Sequence, residues 1–224
     1  MTSKIRVDQI ENSNGASDVA FTGTGGVSLS SVKLSTIKSS NGTTAMSIAN
    51  DGKVSFTKSL INEVADRTAT TSGHIIDFTI PAGTRRITAL MRGVSTSDGE
   101  RVIFQLGTAG GMITSGYRGE VVKLSHSTTP ASNNFQFLNG FAVDTQHDPN
   151  AADAIHGQYV MTHMGNNLFI GAGHTCRGPD GQEQINISSG KVELGAVCTT
   201  LRLTQNGSSA NVFDAGEITI LTEL

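Results

Sequence analysis

FTIPAGTRRITALMRGVSTSDGERVIFQLGTAGGMITSGY, residues 78–117, decides the fold. It holds two alternating apolar runs, Ile87 to Val94 and Arg101 to Gly107, separated by Thr96-Ser97-Asp98-Gly99 and closed by a glycine-rich corner. Period-two alternation sends successive side chains to opposite faces of a strand, and a polar turn cluster between two such runs reads as a hairpin. Ahead of them, Pro81-Ala82-Gly83 reads as a turn in which the proline ring sets φ. The same grammar continues outward. His74 to Ile80 precedes the pair, and Gly119–Leu124, Phe135–Val143, Ala154–His163, Leu168–Ala172, Glu183–Ile187, Lys191–Leu203 and Ile218–Leu221 follow it. Roughly eight to ten short strands without a βαβ rhythm predict an antiparallel β-sandwich of jelly-roll type over residues 74–224.

The bulk numbers agree with an all-β chain. Of the 224 residues, 37% are hydrophobic, only 16% are charged, and 26 are glycine. Gly, Ser, Thr and Asn close tight turns and serve long helices poorly. A net charge of -3 and a pI near 6.0 supply no basic face for nucleic acid. Tyr117, Tyr159 and the nine Phe read as core, not as a base-stacking platform. The opening MTSKIRVDQIENSNG lacks the apolar run of a secretory signal, and no run approaches the ~20 apolar residues of a membrane-spanning helix. Cys176 and Cys198 have no second cysteine pair for a zinc site; two reduced, buried thiols are expected, and a disulfide is not required.

Residues 1–73 read differently. Ile5 and Val7 alternate with Lys4, Arg6 and Asp8, Ile10 falls out of phase, and Asn14-Gly15 is a turn. Val19–Phe21, Val27–Leu29, Val32–Ile37, Ala45–Ile48 and Val54–Phe56 are similarly short, with glycine-containing turns between them. Such scattered apolar residues cannot offset the entropy of ordering the backbone. The segment is therefore either disordered or completed by neighbouring chains, and its regular strands favour the second: an oligomerising shaft. Ser59–Arg67 fits a short helix or a strand equally, and Ala69–Gly73 reads as a linker.

No constellation demands chemistry. His74, His126, His147, His156, His163 and His174 do not stand at metal-ligand spacings, so neither metal nor cofactor is expected. Asp144, Asp148, Asp153, Asp180 and Glu183 could in principle supply a paired-carboxylate hydrolase, but they sit in turn-like sequence. No GxSxG occurs. The reading is a non-enzyme.

Ile80–Tyr117, as IPAG, a basic-basic-aliphatic strand, GVSTS, QLG and TSGY, resembles the C-terminal module of phage tail fibres and related virion appendage proteins from phages of aquatic bacteria and cyanobacteria. Leu201-Arg202-Leu203 and Phe213-Asp214-Ala215-Gly216 resemble that module's ending, and SKIRVDQIENSNG is similar to the attachment segments at the front of such proteins. The likeness brackets residues 1–15 and about 78–221; Met91 and Arg92 depart from it, and residues 147–174 have no counterpart. The resemblance implies a homotrimeric fibre subunit, made in the host cytoplasm and located in the virion. Residues 1–73, with Ile5, Val7 and Ile10, would attach to tail or baseplate proteins. The sandwich would face a host surface glycan or lipopolysaccharide. Its receptor loops are expected at Asp144–Ala154 and Gly173–Gly181, with Asp144, His147, Asp148, Asn150, His174, Arg177, Asp180 and Gln182 as contact residues. The alternative is a capsid decoration or baseplate part without host contact.

Overall fold

The structure, a computed structural model, describes residues 36–38, 44–48, 51, 54–56, 61–97, 100–125, 132–145, 154–178, 184–207 and 210–224. The chain divides into two compact units, Met1–Lys58 and Ser59–Leu224. All described elements are strands in antiparallel sheets, with no helix among the described residues.

In the first unit, β1 (Thr36–Lys38), β2 (Thr44–Ile48) and β3 (Val54–Phe56) form one small sheet in that order. Met46, Ser47 and Ile48 are only half-buried, and Val54 is exposed. The remaining strands expected before residue 36, including Ile5, Val7 and Ile10, lie outside the described residues.

The second unit is a β-sandwich. Its strands are β4 (Ile61–Ala69), β5 (Ile75–Thr79), β6 (Arg86–Thr96), β7 (Arg101–Thr108), β8 (Gly111–Met112), β9 (Arg118–Ser125), β10 (Ser132–Phe137), β11 (Phe141–Ala142), β12 (Ile155–His163), β13 (Leu168–Arg177), β14 (Gln184–Glu193), β15 (Cys198–Asn206) and β16 (Phe213–Glu223). An eight-stranded sheet runs β10-β9-β14-β13-β12-β6-β16-β4; the second sheet runs β11-β7-β15-β5, with β8 added to β7.

Three sequence expectations need correction. The runs 87–94 and 101–107 are strands, but not a hairpin: β6 pairs with β12 and β16, whereas β7 pairs with β15 and β11 in the other sheet. The chain therefore changes sheets between Thr96 and Arg101. The cause is visible in β7, where Val102 to Gly107 are all buried, so that the strand is covered on both faces and does not alternate as β6 does. Second, β4 takes the strand alternative over Ile61–Ala69 and joins the sandwich through β16, so the boundary lies near residue 58 and not 73. Third, 69–73 is no free linker. Thr70 is fully buried, donates its hydroxyl to the Ala215 carbonyl at 2.7 Å and its amide to Gly216 at 2.8 Å. The Pro81 turn forms as expected, with the Thr84 amide and hydroxyl both donating to the Pro81 carbonyl.

The core is organised by rings. Tyr117 meets Phe141 edge-on at 5.1 Å, and Phe137, Tyr159 and Phe104 complete the cluster at 5.8–6.2 Å separations. Rings of this size leave no room for side chains on the facing strands. A Cβ on Gly119 would stand 2.4 Å from the Phe137 ring, and one on Gly171 2.8–2.9 Å from Tyr159 and Phe141. These glycines, with Gly190 on β14, where a Cβ would stand 2.7–2.8 Å from the Phe137 ring, must face inward, which fixes the phase of β9, β13 and β14. As a result Thr175, Arg177, Asn186 and Ser188 also face inward and are buried.

Candidate functional site

Strand register separates the two ends of the sandwich. At one end Ile61 lies opposite Glu223, Arg86 opposite Thr162, and Leu168 opposite Glu193. At the other, Ile155 lies opposite both Val94 and Arg177, Gln184 opposite Arg177 and Ser125, and Asn206 opposite Arg101. Segments 146–153 and 179–183, which lie outside the described residues, connect strand ends of this second kind. The two loops singled out in the sequence thus spring from neighbouring strands at the end remote from Ile61.

A buried ion pair joins their roots. Arg177 Nη1 donates to Asp144 Oδ2 at 2.9 Å, with the two side chains 2% and 0% exposed. The Val102 amide donates to Asp144 Oδ1 at 3.3 Å. Around it, Thr175 donates its hydroxyl to the Val143 carbonyl at 2.8 Å, the Val143 amide reaches Val102 at 3.1 Å, and Arg101 Nε donates to the Thr145 carbonyl. Arg101 also lies over the Phe135 ring at 3.5 Å. Segment 143–145 is therefore tied to both sheets before it leaves the described structure. The inward phase imposed by the glycines of β13 explains why a charged Arg177 points into the sandwich.

This overturns two proposed contacts. Asp144 and Arg177 are sealed from solvent and neutralise each other, so neither can touch a receptor. His174 is exposed, but on the outer face of the eight-stranded sheet, where its ring nitrogen lies 3.4 Å from Gln158 Nε2. His147, Asp148, Asn150, Asp180 and Gln182 lie outside the described residues. Of the remaining histidines described, His74 bonds the Asn211 carbonyl at 3.1 Å, His156 accepts the Gly93 amide at 3.3 Å, and His163 stacks on Phe169 at 5.0 Å. No group of three His, Cys, Asp or Glu side chains able to hold a metal occurs among the described residues. Both cysteines are free; Cys198 is buried, which pushes its thiol up to about 11, whereas Cys176 is exposed, against expectation, because the phase of β13 turns it outward.

Sequence reading missed the outer sheet face. Leu90, Leu124, Ile170, Ile185 and Ile187 are 38–52% exposed there, and a shallow groove of about 680 Å³ crosses it between Val160, Ala172, His174 and Ile187. In QINISS, residues 184–189, polarity alone would bury the isoleucines; only the ring-facing glycines reveal the opposite phase.

Burial outweighs the Arg177 charge and lifts the Asp144 carboxyl from its ordinary 3.8 to about 6. The folded chain thus holds this proton more tightly than the unfolded chain. Its contribution to stability is full below the ordinary carboxyl range and is lost as pH climbs through about 6. The stability of the natural chain relative to Asp144→Asn should accordingly fall by about 2–3 kcal/mol between acid and neutral pH, then level off. Urea unfolding of both proteins at a series of pH values measures this; a difference that grows with pH would refute it.

Comparison with protein families, curated proteins and solved structures finds no match.

Proposed function

We propose that this chain is a tail fibre subunit that assembles as a homotrimer and binds the host cell surface through its C-terminal sandwich. The observation that carries the reading is polarity: the sandwich starts and finishes at one end, beside Ile61 and Glu223, and roots both expected loops at the other. The roots of those loops and the Ile61 end of β4 thus lie at opposite ends of the sandwich. The likeness of Ile80–Tyr117 and of the opening SKIRVDQIENSNG supports the same reading.

Its mechanism would be adhesion without bond chemistry. A single shallow polar contact to a sugar is weak, but three copies on one axis meet a repeated glycan or lipopolysaccharide together, and linked binding raises avidity by orders of magnitude. The Asp144–Arg177 pair would serve by holding the two loop roots at fixed separation.

Light scattering should give three times the chain mass of 23.4 kDa. Host cells preincubated with that trimer should then adsorb virions carrying this chain at least tenfold more slowly. Unchanged adsorption would remove host contact and leave a capsid decoration or baseplate part.

A further inference from the structure

We propose that the interior of the sandwich at its loop end is a hydration site, in which ordered water held by Asn186 and Thr145 ties β14 to segment 143–145. Burial and bonding are at odds there. Asn186 is 1% exposed, yet neither Nδ2 nor Oδ1 has a hydrogen-bond partner among the described residues. The hydroxyl of Thr145, a residue 4% exposed, has none among them either. A carboxamide carries two N–H donors and an oxygen with two lone pairs. Burying it dry loses every bond that it makes to water in the unfolded chain, and native interiors supply such groups with a protein partner or a bound water.

The neighbouring protein groups are already engaged. Asn186 lies opposite Thr175 on β13 and Lys123 on β9. The Thr175 hydroxyl gives its one proton to the Val143 carbonyl at 2.8 Å, and Ser188, the next inward residue of β14, meets the Tyr159 hydroxyl at 3.3 Å. The Thr145 carbonyl takes Arg101 Nε. Lys123, half-buried, is the one competitor. Its ammonium has donors only, so it satisfies Oδ1 at best and leaves Nδ2 orphaned. Water accepts from Nδ2 and donates to Oδ1 or to the Thr145 hydroxyl, which no cation does.

The walls are of the right kind. Facing sheets stand ~10 Å apart, a gap that only large side chains span. Midway along the sandwich Tyr117, Phe137, Phe141 and Tyr159 fill it, all sealed from solvent. At the loop end the inward residues of β13 and β14 shrink to Thr175, Asn186 and Ser188. Gaps with polar walls take up water, whereas apolar ones stay dry. The other sheet repeats the pattern at the same end. Gln205 on β15, opposite Val102, is 4% exposed, and neither of its amide atoms has a partner among the described residues. Two carboxamides, one from each sheet, are thus left without protein partners where the core turns polar.

Magnetic relaxation dispersion of oxygen-17 water counts the waters that stay in a protein longer than it takes to tumble. The test applies it to the full natural chain and to N186L, N186S and K123M, with urea midpoints alongside. Leucine matches asparagine in size without its polar atoms; serine keeps a polar group and frees space, and stands in should N186L fail to fold. The expected result is a dispersion amplitude that falls by about one or two waters per chain in N186L and holds or rises in N186S. The urea midpoint of N186L should not exceed that of the natural chain, because the natural carboxamide is already satisfied. The amplitude of K123M should equal that of the natural chain. Three results would each overturn the proposal. An amplitude unchanged in N186L would show that Asn186 holds no water. A lower amplitude in N186S than in the natural chain would show that the site closes without the amide. An amplitude that rises in K123M would show that the ammonium, and not water, partners Asn186.

Discussion

Replacing Arg177 with methionine will cost the sandwich about 3–5 kcal/mol, the usual penalty for stranding a buried charge. Asp144 is 0% exposed, and once the guanidinium is gone it keeps backbone amides, Val102 at 3.3 Å and its own, and the more distant charge of Arg101. Its carboxyl must then either remain ionised without a paired guanidinium or take up a proton, and both lower stability at neutral pH. The companion variant separates charge from packing. Arg177→Met combined with Asp144→Leu removes both charges, and should recover most of the loss, since a buried pair exchanged for apolar groups is often neutral. Urea midpoints for the two variants provide the measurement. A single variant as stable as the natural chain would mean that losing Arg177 does not leave Asp144 as a stranded buried charge.

The second large effect lies in the ring cluster. Phe141 is fully buried among Tyr117, Phe137 and Tyr159, and truncation to alanine should cost about 3–5 kcal/mol. For a unit of this size that lowers the melting temperature by roughly 10 °C or more. Its partner test is Gly171→Ala, whose added methyl would press on Tyr159 and Phe141 at 2.8–2.9 Å and cost about 1–3 kcal/mol by overpacking. In the Phe141→Ala background the methyl enters vacated space, so the two losses should add to less than their sum. Strict additivity in thermal unfolding would show that the glycine is not there for the ring.

The all-β class and most strand positions were legible because period two and turn residues are local signals. Ile87 to Val94 alternates in sequence and alternates in burial. Sheet membership was not legible: nothing in Thr96-Ser97-Asp98-Gly99 distinguishes a hairpin turn from a passage between sheets, because the distinction lies in β12 and β15, far along the chain. The strip 61–69 looked ambiguous because its strand is bulged against β16, with register shifts that break the alternation. At the candidate site, sequence brought forward two loops whose roots do adjoin. It could not tell that Asp144 and Arg177 are each other's partners, since polar residues next to turns are ordinarily solvated. Burial here is set by the aromatic rings and the glycines opposite them, a relation between residues 119, 137, 141, 159 and 171 that no window along the chain contains.

The pairing of β4 with β16 sets an order of events during synthesis. β4 is the first strand of the sandwich, yet its one neighbour in the sheet is the last, with partners such as Asn62 and Thr222 separated by almost the whole unit. Until β16 has been translated, β4 lacks the strand it pairs with. The eight-stranded sheet closes only after β16 has emerged, and a product terminated before Phe213 would lack the strand that also flanks β6. Closure through such distant partners is slow. The nascent sandwich therefore waits, with the edge of β6 open, until β16 emerges.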